Sequence, residues 1–219
     1  MAEDYWYHIA HTTPRQDWHS AKWLALNRKR AKIQRMATIE TSLTAEEYLE
    51  LPDSGCPTEL VRGAIVPMNV PNFRHGKICT AVAGPLWHYA KLHQLGHVLS
   101  NDSGIVTQRD PDSVRGPDVS FYSYSRIPKG ADPAGYAKVA PEIAVEVRSP
   151  TDRWASVLAK VSEYLGAGVD VVYVVDGQSR SVFVYRDDQP AMPIAYDAVW
   201  TFPPPLDGLR IAVRELFEP

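Results

Sequence analysis

The sequence predicts an α/β (α+β) chain built on a mixed β-sheet flanked by helices, and three patterns predict it. A strand, an amphipathic helix and an almost wholly apolar strand follow one another through residues 142–175, the order of a parallel crossover. Glu59-Leu-Val and Ala64-Ile-Val flank Arg62-Gly63, the pattern of an antiparallel hairpin. From Arg74 to about Leu95, residues Ile78, Val82, Leu86, Tyr89 and Leu92 recur at three- and four-residue steps. That period marks a long helix with one apolar face.

The remaining elements follow in order. Thr44-Ala-Glu-Glu47 is a capping box that opens a short helix running to about Leu51, where Pro52-Asp53-Ser54-Gly55 ends it. Gly96 is the expected stop of the long helix. Strands are expected around Gly104–Gln108 and Asp118–Tyr122, joined by the turn-rich Arg109-Asp-Pro-Asp-Ser113. Glu142–Ser149 reads as a strand and Trp154–Leu165 as an amphipathic helix with the stripe Trp154, Val157, Leu158, Val161 and Leu165. Val169-Asp-Val-Val-Tyr-Val-Val175 is a run buried on both faces. Gln178–Tyr185 gives a further hairpin, and Val213–Phe217 a short terminal element.

Composition sets the broad class. The 219 residues are 45% hydrophobic and 22% charged, which fits a globular domain and excludes a disordered chain or a fibre. No run of roughly 18 apolar residues is present, so no membrane-spanning helix is expected. Trp6, His8, His11 and Arg15 interrupt any secretory signal. Two cysteines, Cys56 and Cys79, neither form a disulfide framework nor complete a four-ligand zinc site. A soluble, cytoplasmic protein is expected.

The charge is unevenly spread. Residues 1–35 carry seven Lys/Arg against three acids, whereas residues 36–219 hold 16 against 23. A body that acidic repels phosphate backbones at long range, so action on nucleic acid needs local arginines or bound cations. Residues 1–35 read as a basic N-terminal extension, with Met36 as the natural start and 36–219 as a single domain. A basic arm touching nucleic acid is the other reading of 1–35.

The informative anomaly is a carboxylate in an apolar strand. In Glu142-Ile-Ala-Val-Glu-Val-Arg-Ser149, Ile143, Val145 and Val147 share one face, and Ala144, Glu146 and Arg148 the other. A buried Glu146 is costly unless it meets a cation. The plainer alternatives pair it with Arg148 or place it at an exposed strand end. Asp118, directly after Pro117 at a strand start, is a second such acid, or else a simple turn aspartate. Two carboxylates on neighbouring strands suit Mg²⁺, which keeps several waters for a phosphate.

These residues carry a resemblance. The chain resembles the PD-(D/E)XK nuclease superfamily, and more closely the Uma-two family of restriction-endonuclease-like proteins, over about Leu43 to Phe217. The marks are Leu43-Thr-Ala-Glu-Glu-Tyr-Leu49, Glu59-Leu-Val-Arg-Gly63, Arg74-His-Gly-Lys-Ile78, Pro117-Asp-Val119 and Glu146-Val-Arg-Ser-Pro-Thr-Asp152. Lys160-Val-Ser-Glu-Tyr164, Ala167-Gly-Val169 and Tyr173-Val-Val-Asp176 continue them in order.

The resemblance implies a restriction-endonuclease-like core with an acidic metal site, and Asp118, Glu146 and Lys160 as catalytic residues. Asp118, Glu146 and the Val147 carbonyl would hold Mg²⁺, for which Mn²⁺ substitutes. The superfamily lysine two residues after the second acid is here Arg148, which cannot act as a base but can hold phosphate. Lys160, on the following helix, matches the Uma-two lysine. It either snorkels to solvent or reaches the metal site, and Lys160→Ala is expected to change stability by no more than about 0.5 kcal/mol. Glu59 is either a third carboxylate or a solvated hairpin charge. His75 matches a family position, with capping, packing or phosphate contact as its roles.

The activity so implied is Mg²⁺-dependent endonucleolytic hydrolysis of DNA, with no membrane partner and a homodimer left open. The rival is an inactive nuclease-like fold serving as a binding or assembly module. His88, His93 and His97 lack zincin spacing, and Gly63, Gly76 and Gly84 form no phosphate loop.

Overall fold

The computed structural model describes residues 42–52 and 54–218. Thr44 caps helix α1 (Ala45–Leu49) as the sequence predicts: its hydroxyl accepts from the Glu47 N–H, and the Glu47 carboxylate accepts from the Thr44 N–H. Strands β1 (Thr58–Val61) and β2 (Ala64–Pro67) form the predicted hairpin. Its turn uses two left-handed residues, Arg62 at φ 49° and Gly63 at φ 76°, whose twist matches the flanking strands.

Helix α2 (Phe73–Leu92) is capped by the Asn72 side chain and buries Ile78, Val82, Leu86 and Ala90. Leu92 is exposed, so the apolar stripe ends a turn early. Gly96 does not stop this helix, contrary to expectation. Gln94, at φ 54°, makes the left-handed turn, and Gly96 opens β3 (Gly96–Ser100). Glycine is needed there for space, because a β-carbon would collide with the Tyr122 carbonyl of the neighbouring strand.

Strand β4 (Ile105–Gln108) is followed by β5 (Ser113–Arg115), a strand where the sequence suggested only a turn, and then by β6 (Val119–Ser123). Strand β7 (Ile143–Arg148), helix α3 (Trp154–Gly166) and β8 (Val171–Asp176) make the predicted parallel crossover. Helix α3 buries Val157, Val161 and Tyr164, while Leu158 is exposed. The centre of its inward face lies on the 157–161–164 row, which rotates Leu158 outward. Strands β9 (Ser181–Tyr185), β10 (Met192–Ile194), β11 (Val199–Thr201) and β12 (Arg210–Ala212) precede a final 3₁₀ turn, Val213–Leu216.

Three sheets result. Six strands run β10-β9-β8-β7-β6-β3, four run β2-β1-β5-β4, and β11 pairs with β12. Ile143, Val145 and Val147 pack with α2, Tyr173 and Trp200 on one side of the larger sheet. Ala144, Val172 and Val174 pack with α3 on the other. The alternation along β7 is therefore the one its sequence predicts, and each fully buried valine contributes roughly 1.5–3 kcal/mol. The fold is mixed α+β and restriction-endonuclease-like.

The described residues, from Ser42 to Glu218, form one compact unit. The expected basic extension, residues 1–35, and the boundary at Met36 lie outside the described residues. Among the described residues, no helix is long and apolar enough to cross a membrane.

Candidate active site

Strand register brings the two acids together. Strands β6 and β7 are antiparallel with Val119 opposite Val145, so one residue further out Asp118 stands opposite Glu146. The Val147 N–H donates to Asp118 Oδ2 at 2.6 Å, fixing that carboxylate at the end of β6. Helix α3 crosses this strand end, and β1 of the smaller sheet approaches it.

Lys160 reaches into the site from α3. Its ammonium lies 2.9 Å from Glu59 Oε1 and 3.4 Å from both carboxylate oxygens of Glu146. The lysine side chain is 16% exposed, so it does not snorkel to solvent. Glu59 is not a solvated hairpin charge either, being 4% exposed. Arg115 Nη1 donates to Glu59 Oε2 at 2.8 Å, and the Gly116 N–H donates to Glu59 Oε1 at 3.3 Å. Arg115 is itself clamped by Glu163 through its Nε and Nη2, at 2.6 and 2.7 Å.

Glu146 neither pairs with Arg148 nor sits exposed. Tyr164 donates its phenol proton to Glu146 Oε1 at 2.7 Å. Burial, with the nearby charges of Asp118 and Glu59, raises the Glu146 carboxyl to about 7, although Lys160 and Tyr164 pull it down. Burial alone would depress the Lys160 amine; Glu146 and Glu59 outweigh it and hold that amine above its usual value. Burial and Glu146 keep the Tyr164 phenol well above the ordinary range, so Tyr164 remains a donor. Glu142, at the other end of the same strand, is equally buried but rests on Arg126, Ser123 Oγ and the Ser123 N–H.

His75 closes the opposite side of Asp118. Its Nε2 lies 3.3 Å from Asp118 Oδ1, and its Nδ1 lies 3.4 Å from Cys79 Sγ. The hydrogen bond to Asp118 raises the imidazole above its usual value against the effect of burial, and the nearby Val147 carbonyl adds to it. Burial and Asp118 push the Cys79 thiol up.

Sequence reasoning missed Asp102, whose carboxyl is raised by burial and by the charge of Asp118, and lowered by Lys160. Asp102 adopts φ 55° and lies against Gly116, where a β-carbon would collide with it. A non-glycine residue in that conformation is the sort of local strain that functional sites hold. Arg115, Glu163 and Cys79 were missed as well, because nothing local in the sequence links them to the acids.

Arg148 is committed elsewhere. Its Nη1 donates to Asp176 at 2.9 Å and to Gln178 at 3.2 Å, and its Nη2 donates to the Asp152 carbonyl at 3.1 Å. Its guanidinium also lies 4.9 Å from the centre of the Trp154 ring. Among the described residues, no hydrogen bond or ion pair joins Arg148 to Asp118, Glu146 or Lys160. These contacts tie the ends of β7 and β8 together, and the buried Nε of Arg148 keeps no hydrogen-bond partner among the described residues.

The donors left at this corner suit a hard divalent cation. Glu59, Asp118, Glu146 and Asp102 act on one another electrostatically, opposed by Lys160 and by the Arg115 guanidinium that Glu163 shares. The Glu146 carboxyl is raised first by burial, and the charges of Asp118 and Glu59 add to it against the pull of Lys160. Oxygen donors in excess over positive charge are the chemistry that Mg²⁺ accepts.

The chain also has relatives. The family model described as "Putative restriction endonuclease" (Uma2) matches residues 45–214. No curated protein matches the chain. Among solved structures, it is similar to "a putative nuclease belonging to DUF820 from Anabaena variabilis ATCC 29413", with a TM-score of 0.70 and 24% sequence identity. That match covers 80% of this chain and 97% of the other, and it establishes the fold. The family model spans most of the chain, from α1 to the last 3₁₀ turn, and the chain belongs to the Uma2 family.

Proposed function

We propose that the chain is an endonuclease that hydrolyses phosphodiester bonds of DNA with the aid of bound Mg²⁺, which Mn²⁺ can replace. The observation that carries this reading is the convergence of Asp118, Glu146, Glu59 and Lys160 from four separate elements on one corner, with Lys160 held between two carboxylates. Membership of the Uma2 family and likeness to a protein described as a nuclease support it. Asp118 Oδ1, Glu146 and the Val147 carbonyl would hold the cation. Bound there, it would polarise the phosphate and lower the pKa of an attacking water.

The chain's own residues do the rest. The Val147 N–H holds Asp118 Oδ2, and Oδ1, which faces His75 Nε2 at 3.3 Å, is the oxygen that would meet the cation. Tyr164 fixes the Glu146 carboxylate from behind. Lys160 stays protonated beside Glu146 and Glu59, so it cannot serve as a base near neutral pH. Its part is to orient the water and to stabilise the charge that develops on the phosphate. Arg115 and Glu163 hold Glu59, and Glu59 in turn aims Lys160. Against the acidic body, the bound cation would help DNA approach, alongside local arginines, as well as the chemistry.

The test is incubation of purified protein with supercoiled, linear and single-stranded DNA under Mg²⁺, Mn²⁺ or chelator. Cleavage that needs the cation supports the proposal. An intact substrate under both cations replaces it with the binding-module reading.

A further inference from the structure

We propose that His75, Cys79 and Asp118 form a second cation site, one that takes a thiophilic divalent ion of the Zn²⁺ class. Helix α2 places His75 and Cys79 four residues apart, on one face and one turn from each other. Both side chains lean toward the strand end that carries Asp118. With one ring nitrogen as the imidazole's ligand atom, the three ligand atoms lie within 4.8 Å of one another, and all three residues are half-buried.

The separations are close to those of a tetrahedral site. Zn²⁺ bonds of roughly 2.0–2.3 Å place neighbouring ligand atoms about 3.3–3.8 Å apart. Since Nε2 faces Asp118 and Nδ1 faces Cys79, closure on one ion requires the imidazole or the Cys79 side chain to turn so that a single nitrogen meets both partners. Only one ring nitrogen can bind the ion, which leaves the other free for a second partner. Three protein donors leave a fourth position for water, as in open zinc sites.

The surroundings orient the donors. The Val147 N–H occupies Asp118 Oδ2, so Oδ1 is the oxygen turned toward His75. The Asn72 side chain accepts from the His75 N–H and fixes the first turn of the helix. Such supporting contacts set ligand direction in metal sites generally.

The donor set decides the ion. Mg²⁺ takes oxygen in near-octahedral geometry, whereas one nitrogen, one sulfur and one oxygen in a small cluster select Zn²⁺ and its relatives. Cys79 would bind as thiolate, its proton passing to solvent. Asp118 has a single oxygen to offer, so this ion and Mg²⁺ would exclude each other. That last consequence rests on the proposed nuclease reading, and it makes a thiophilic ion an inhibitor of cleavage.

Co²⁺ is the probe, because its absorption reports geometry and thiolate ligation. The test uses the full chain carrying Cys56→Ser, which removes the other, exposed cysteine, with neither Mg²⁺ nor DNA present. The expected result is tetrahedral Co²⁺ absorption with a thiolate-to-Co²⁺ charge-transfer band in the near ultraviolet. Cys79→Ser and His75→Ala should abolish that band, and Glu146→Gln should keep it. A parent spectrum without the band, or a band that survives Cys79→Ser, overturns the proposal. If Cys79→Ser does not fold, alkylation of Cys79 in the Cys56→Ser protein decides instead. Protection by Zn²⁺ supports the site, and equal alkylation with and without Zn²⁺ overturns it. Since these readouts need no cleavage, the site stands or falls independently of the nuclease reading.

Discussion

The ammonium of Lys160 sits 3.4 Å from each carboxylate oxygen of Glu146, its partner 14 residues earlier in the chain. It also touches Glu59, which reaches the site from a different sheet. This lysine is therefore the counter-ion of two buried acids as well as the residue assigned to the chemistry.

Removing it should cost both stability and activity. Lys160→Ala leaves Glu59 and Glu146 short of a partner, and breaking a buried pair from one side costs roughly 3–5 kcal/mol. Urea denaturation at pH 7.5 checks this; a loss within about 0.5 kcal/mol, as the sequence alone suggested, would place Lys160 in solvent. Lys160→Arg keeps the charge and should keep most of the stability. Cleavage by that variant should still fall by about 10²–10³-fold, because a guanidinium does not reproduce the compact donor of an ammonium.

Glu146 should give the metal-free protein a distinctive pH dependence. Its carboxyl moves from the ordinary 4.5 to about 7 on folding. Below the unfolded value both states carry the proton, and the group imposes no penalty. As pH rises toward 7 the unfolded chain ionises first, so stability falls, by a few kcal/mol at most. Melting temperatures in chelator between pH 5 and pH 8 should show that decline, and Glu146→Gln should flatten it. An identical slope in the variant would mean that Glu146 ionises freely in the fold.

Arg148 separates architecture from chemistry. Arg148→Ala strips Asp176 of its buried partner and breaks a link between two strand ends, so a loss of several kcal/mol is expected. Cleavage per folded molecule should change little at a temperature where the variant remains folded. A large drop in rate at full folding would restore a phosphate role for this arginine.

Sequence legibility followed local pattern. The β7–α3–β8 crossover was visible because Ile143–Val147 and Val171–Val175 are apolar runs of strand length, and Glu146 stood out against that background. Strand β5 was hidden because its three residues, Ser113–Arg115, follow turn signals. Strand β3 was lost because Gly96 reads as a helix stop, while its real role is close approach to Tyr122. Within the site, Glu59 and Lys160 were individually visible. Their mutual contact, and the clamp of Arg115 between Glu59 and Glu163, depend on one sheet meeting another. No periodicity encodes such a meeting. Asp102 was unreadable for the same reason, sitting in a loop whose conformation is set by packing against Gly116.

Divalent cations should stabilise the protein by linkage. The rise in melting temperature with Mg²⁺ or Mn²⁺ should be larger at pH 8 than at pH 6, since the ion competes with the proton on Glu146. Asp118→Asn and Glu146→Gln should each reduce it. Equal stabilisation of parent and both variants would locate the ion elsewhere.

The most direct test is the rate at which supercoiled DNA is nicked by the parent and by Asp118→Asn, compared at matched folded fraction in Mn²⁺. Asp118 touches Val147 and His75 through its two oxygens, and the amide preserves that shape while removing the charge. The expected outcome is measurable nicking by the parent and a loss of at least about 10²-fold in the variant, the scale for losing one preorganised charged group. Equal nicking by the two proteins, or none by the parent, would contradict the assignment of this corner as a nuclease site.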